Sequence, residues 1–264
     1  MSQQILKMYV EDEDELEFEK VKTELKLSCT IDDSAKLRHL IEKVHGTLFL
    51  DSQVFFKGAT LLMIACFNGH LNCVQLLLKS GVDLNKQDDF ANTALTQACL
   101  KGHSDIVEYL VNNGANPSVK NKAGKTALII AIENGHEKIA RFLVDFTISN
   151  VSHNIGEDTE WKEAALITAC QIGNTNIVCT LIEKGANVNH TQFDPLLIAV
   201  ESSHTDVVRI LIEAGADLCK NKSLLTKGVE RGQYEIVECL LKHGVDPNSD
   251  DHERLEQANV IKIY

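Results

Sequence analysis

The sequence predicts an all-α solenoid of about six helix-turn-helix units with hairpin loops, preceded by an N-terminal helical cap. Three observations predict it. Residues 66–77, "CFNGHLNCVQLL", and 99–110, "CLKGHSDIVEYL", say nearly the same thing 33 positions apart. The pairs Gly69-His70, Gly102-His103 and Gly135-His136 keep that spacing, and Gly173-Asn174, Ser203-His204 and Gly232-Gln233 continue it at 38, 30 and 29. A period in this range marks a repeat architecture, in which each unit packs only on its neighbours.

One unit justifies the rest. In residues 85–118 the polar stretch 85–92 is a turn. Thr93 caps a first short helix through its hydroxyl. That helix carries Leu95, Ala98 and Cys99 on one face and stops at Gly102. Ser104 or Asp105 caps a second helix, where Ile106, Val107, Leu110 and Val111 form an apolar stripe at helical spacing. Gly114 supplies the left-handed position that ends it. Helices this short do not hold in water alone, so each pair requires a neighbour on either side.

At this level of detail "TALTQACLKGHSDIVEYLVNNGAN" (93–116) and "GKTALIIAIENGHEKIARFLV" (124–144) resemble ankyrin repeats. The resemblance covers residues 57–248, with repeats starting near 57, 87, 120, 159, 190 and 220. The family's Thr-Pro-Leu-His appears here as TLLM, TALT, TALI, AALI, DPLL and SLLT, so its histidine is absent throughout. The fourth unit carries a long loop at 146–162 containing the single tryptophan, Trp161. Ahead of the repeats, 1–33 reads as an acidic, partly flexible segment with a candidate helix at 15–27, and 34–56 as a capping helix or half-repeat. Residues 249–264 read as a C-terminal cap or tail.

The net charge of −12 repels a phosphate backbone and argues against a nucleic-acid partner. Half of it falls in residues 1–33, where seven acids crowd positions 11–19. No apolar run approaches the ~18 residues that span a bilayer, so no membrane insertion is expected. The N-terminus lacks the basic and apolar regions of a secretory signal. Cys66, Cys99 and Cys170 share one repeat position, roughly 10 Å apart in stacked helices and too far for disulfides. An intracellular, cytoplasmic location follows, with the nucleus also open.

No catalytic motif and no cofactor site is legible. Cys66-x3-His70-x2-Cys73 has a spacing that zinc could use. However, each member has a structural counterpart in other repeats, and no fourth ligand is evident. The recurrent Gly-His pairs read as turns whose imidazoles bond neighbouring backbone.

The resemblance implies a protein partner bound across hairpin tips and the exposed, concave side of the inner helices. The exposed inner-helix position before each turn is filled in order by Phe67, Leu100, Glu133, Gln171, Glu201 and Glu230, running from apolar to acidic. Lys101 sits beside it, and hairpin tips add Phe56, Phe90, Lys122 and Lys125. With Trp161 these are the candidate partner-binding residues. The alternative is that Phe67 and Leu100 pack on each other and on the cap. The expected function is a non-enzymatic interaction module or adaptor, monomeric alone. A stoichiometric inhibitor or host-targeting effector acting by binding is the rival, and an enzyme the less favoured one.

Overall fold

The computed structural model describes residues 14–43, 50–51, 56–151, 160–190, 192–221 and 223–246. Among these every regular element is helical. The chain divides into two compact units, residues 1–143 and 144–264.

In the first unit, α1 (Asp14–Ile31) pairs with α2 (Ser34–Lys43), α3 (Leu61–Asn68) with α4 (Leu71–Lys79), and α5 (Ala94–Lys101) with α6 (Ser104–Asn112). α7 (Ala127–Glu133) then leads into α8 (Glu137–Val151), which crosses the boundary between the units. The inner helices α1, α3, α5 and α7 stack in that order, and α2, α4 and α6 form the outer row. The second unit repeats the plan. α9 (Glu160–Ile172), α11 (Pro195–Glu201) and α13 (Leu224–Glu230) are inner, whereas α10 (Thr175–Glu183), α12 (Thr205–Glu213) and α14 (Tyr234–Lys242) are outer.

Inner helices begin where the sequence places their caps. Thr60, Thr93 and Thr126 each accept the backbone N–H three residues on, and Thr93 with Thr96 forms a reciprocal capping box. Thr96 stands where the family has its histidine, and it is spent inside its own turn. Outer helices depart from expectation. Neither Ser104 nor Asp105 caps α6; the cap position is His103, with no side-chain cap bond. The His103 ring is used elsewhere, its Nε2 lying 3.2 Å from the Phe67 carbonyl of the preceding repeat. His136 reaches Leu100 O at 3.3 Å, and His204 reaches Gln171 O at 3.0 Å.

This link dictates the preceding glycine. Gly69 and Gly102 lie at φ 82° and 80°, and a β-carbon on either would stand 2.5 Å from the Cε1 of the next repeat's imidazole. Only glycine satisfies both the backbone and the ring. Where the next repeat offers Gln233 instead, Ser203 replaces glycine and its hydroxyl meets the Gln233 amide.

Two boundaries need correction. The N-terminal cap is a complete helix pair: the candidate helix at 15–27 runs from Asp14 to Ile31 as α1 and pairs with α2. Asp32 takes the left-handed turn at φ 59°, and Asp33 accepts the Lys36 N–H as a cap. The Asp33 N–H bonds Ser28 O as the His70 N–H bonds Ala65 O, which sets Cys29 in register with Cys66. The helix forms because Leu25, Ser28 and Cys29 give it a buried face against α3. Residues 1–13 and the expected C-terminal cap at 249–264 lie outside the described residues.

The loop at 146–162 is shorter than its sequence suggests. The other outer helices of the repeats run nine residues into a turn that holds a glycine, such as Gly81, Gly114 or Gly185. α8 has Thr147 in place of that glycine and continues to fifteen residues. On the far side Ala164 replaces the capping threonine, so α9 starts early, at Glu160. Residues 152–159 lie outside the described residues.

Two measurements check this packing. Ala131 is fully buried in α7, so Ala131→Asp should cost several kcal/mol and abolish cooperative melting followed by circular dichroism. Gly102→Ala should cost about 2 kcal/mol in urea unfolding. Combined with His136→Ala, it should cost at least about 0.5 kcal/mol less than the sum of the two single changes, because the steric partner is gone.

Candidate protein-interaction face

The hairpins are built on side-chain mimicry of backbone turns. Asp88 Oδ1 accepts the N–H groups of Phe90 and Asn92, both at 2.8 Å. Asn121 does the same for Ala123 and Lys125, each at 3.0 Å. Successive hairpins are tied by backbone bonds: Asp89 N–H to Lys57 O and Lys122 N–H to Phe90 O, both 2.9 Å. The Asp88 carboxylate is therefore consumed in holding the loop. It is no candidate acid or base.

These loops and the inner helices present one surface. Lys125 reaches from the third hairpin to Glu133 on α7, with Nζ 2.7 Å from Oε2. Phe67, Phe90 and Leu100 are exposed on it at 40%, 44% and 39%, so Phe67 and Leu100 do not bury each other. Lys101 lays its ammonium 4.4 Å from the Phe67 ring centre, and Lys57 stands 4.8 Å over Phe90. Lys122 is exposed at the hairpin tip. The structure thus sets Phe67, Phe90, Leu100, Lys101, Lys122 and Lys125 on one face of the first unit. The side chain of Phe56 lies outside the described residues.

Trp161 does not join this group. It is half-buried in the first turn of α9, in the second unit, with Lys162 5.8 Å over its ring. In that unit the position before each turn carries Gln171, Glu201 and Glu230. Glu201 pairs with Lys227 at 3.5 Å, and its carbonyl accepts from Arg231.

Sequence reasoning missed Leu27 and Ile31, exposed at 48% and 60%. The register set by Asp32 and Asp33 aligns Leu27 with Ile64 and Gln97, and Ile31 with Asn68 and Lys101. The α1 residue in register with Phe67 and Leu100 is the exposed Thr30, and Ile31 follows it. The signal was Asp32-Asp33 standing for Gly-His, which a search for glycine passes over. Lys57 was missed for a similar reason, since its partner Phe90 comes from the next repeat.

Chemistry is poorly served elsewhere. Among the described residues no group of three His, Cys, Asp or Glu could hold a metal. Cys66 is fully buried, and His70 places Nδ1 2.8 Å from Cys29 O. Burial pushes the Cys66 and Cys99 thiols up, and takes Cys170 up to about 12. A hydrogen bond with the Cys73 thiol, then burial, raises Cys29. Thiols held protonated in this way are poor nucleophiles. No described helix is long and apolar enough to cross a membrane.

The family description "Ankyrin repeats (3 copies)" matches residues 25–121, 62–154, 146–222 and 193–251. The chain belongs to the ankyrin-repeat family. The first match begins inside α1, in keeping with the helical pair that precedes Leu61. The human ankyrin repeat and KH domain-containing protein 1 is 36% identical over 92 residues, 31% of this chain and 4% of that protein. A putative ankyrin repeat protein, L675, of Acanthamoeba polyphaga mimivirus is 30% identical over 86 residues, covering 33% of this chain and 18% of its own. The chain therefore matches only a small part of the length of these relatives. The crystal structure of the human ASB11 ankyrin repeat domain superposes with a TM-score of 0.62 at 24% identity, over 89% of this chain and 96% of that one. That likeness is one of fold.

The ankyrin thiols give a direct check. Cys219 is exposed, whereas Cys66, Cys99 and Cys170 are buried and protonated. Titration of the native protein with a disulfide reagent at pH 8 should label Cys219 first. The three buried thiols should react only after unfolding.

Proposed function

We propose that this ankyrin array is a non-enzymatic interaction module. It binds a partner protein across the hairpin tips and the exposed side of the inner helices. Phe56, Phe67, Phe90, Leu100, Lys101, Lys122 and Lys125 are the proposed contacts, with Trp161 as a separate contact of the second unit. The observation that carries the reading is the exposure of Phe67, Phe90 and Leu100 on one face, where nothing in the stack requires them. Exposed apolar groups gathered on one face mark an interface, whereas single ones do not. The family as a whole consists of protein-interaction repeats, which agrees with this reading. The acidic balance disfavours nucleic acid, and the chain acts as a cytoplasmic monomer until it meets its partner.

The face predicts an uneven distribution of binding energy. Phe67→Ala, Phe90→Ala and Leu100→Ala should each leave the melting temperature unchanged. Against a partner recovered by pull-down, at least one should lose about 2 kcal/mol of affinity in calorimetric titration. Glu201→Ala and Glu230→Ala should change association rate and salt dependence more than affinity. Normal affinity in all three apolar variants would move the interface to another surface.

A further inference from the structure

The large apolar side chains exposed among the described residues of the first unit are Leu27, Ile31, Phe67, Phe90 and Leu100. In repeat register Phe67 and Leu100 occupy one position at the end of α3 and α5, beside the turns that close those helices, and Ile31 lies one residue past that position at the end of α1. Neighbouring inner helices pack roughly 10 Å apart, so the row spans about 20 Å. Its charge runs against that of the chain. The protein carries −12 overall, yet the face presents Lys57, Lys101, Lys122 and Lys125. Of its acids, Glu133 is paired with Lys125, and Asp88 is spent on backbone N–H groups. Asp89 sits against Gly58, where a β-carbon would meet its Oδ1 at 2.6 Å. Lys101 holds its stem along Phe67, so an apolar anchor and an ammonium are offered together. Among the described residues Lys101 and Lys122 form no ion pair.

We propose that this row receives an acidic amphipathic segment of a partner protein. Its apolar side chains recur about every 10 Å to meet Ile31, Phe67 and Leu100, and its carboxylates meet Lys101 and Lys122. The proposal rests on the interaction reading above and adds the chemistry of the partner. A cationic or neutral segment gains the same apolar contacts but leaves the lysines desolvated without partners, which selects against it. The acidic column of the second unit cannot offer this combination, since Gln171, Glu201 and Glu230 occupy the equivalent positions.

The test is selection of displayed random 16-residue peptides on the whole chain, followed by affinity measurement on variants with unchanged melting curves. The expected peptides carry Asp or Glu in excess of Lys and Arg, together with Leu, Phe or Trp. Leu100→Ser and Lys101→Glu should each weaken them at least about tenfold. Glu201→Lys should not weaken them. Exchanging the peptide acids for lysine should restore binding to Lys101→Glu. Neutral or basic peptides that still depend on Leu100 would overturn the acidic chemistry and leave the interface standing. Peptides indifferent to Phe67→Ser, Leu100→Ser and Lys101→Glu, or no peptides at all, would overturn both. A concentration-dependent dimer lost in Lys101→Glu would assign the row to a second copy. A tenfold gain in peptide affinity on removing residues 1–13 would assign it to the chain's own N-terminus. Either result overturns the proposal.

Discussion

The imidazole that opens an outer helix rests on the glycine that closes the preceding inner helix, and the stacking of the repeats follows from that contact. The glycine must be left-handed to stop its own helix. It must also be bare, because the next repeat's ring occupies the space where a β-carbon would project. The same ring takes a backbone carbonyl that the terminating helix leaves without a partner. One residue pair therefore ends a helix, satisfies an orphan acceptor and fixes the distance to the next unit. The family's usual inter-loop histidine is missing here. Part of its role passes to hairpin bonds such as Asn121 Nδ2 to Asn92 Oδ1 at 3.0 Å and Asn116 N–H to Asn85 Oδ1 at 2.9 Å.

Departures from the motif show which feature the fold needs. Ser203 sits at φ 65°, where glycine is the easier residue, and the next repeat brings no imidazole opposite it. The next repeat supplies Gln233, whose amide reaches the Ser203 hydroxyl and so bonds to the side chain that the ring would have excluded. At the N-terminus Asp32 takes the turn, and the ring that follows in space is His70, bonded through Nδ1 to Cys29 O. The requirement is a left-handed residue and a polar group across from it. Glycine and histidine are the common solution to it.

This explains how far the sequence could be read. In units with both Gly-His and a capping threonine the inner helix was legible to the residue, including the buried Leu95, Ala98 and Cys99, whereas the cap of the outer helix was not. Two segments were misread. The candidate helix at 15–27 was legible, but its end at Ile31 and its place in a repeat-like pair were hidden because Asp32-Asp33 replaces Gly-His. α8 and α9 ran past their expected ends because Thr147 replaces a glycine stop and Ala164 replaces a threonine cap. At Asp32 the chain keeps the backbone geometry with another residue type, whereas at α8 and α9 the loss of the stop and the cap changes the backbone itself. For the candidate face, Phe67 and Leu100 were visible from their column. The stacking of Lys101 on Phe67 and Lys57 on Phe90 was not, because each pair joins different repeats.

The freedom of that column is what makes it informative. One residue earlier, the chain holds Cys29, Cys66, Cys99 and Ile132 in the first unit and Cys170 and Val200 in the second, all buried and of modest size. Packing on both neighbours sets that choice. The next position along the helix faces out of the stack, so the fold accepts phenylalanine, leucine, glutamine or glutamate there with equal ease. Its composition is then decided by what meets it from outside. In α3 and α5 it holds apolar residues flanked by lysines, while α1 and α7 have Thr30 and Glu133 there and the second unit has glutamine and glutamates, within one protein and on one repeated backbone. A difference that stability does not impose is most simply assigned to binding.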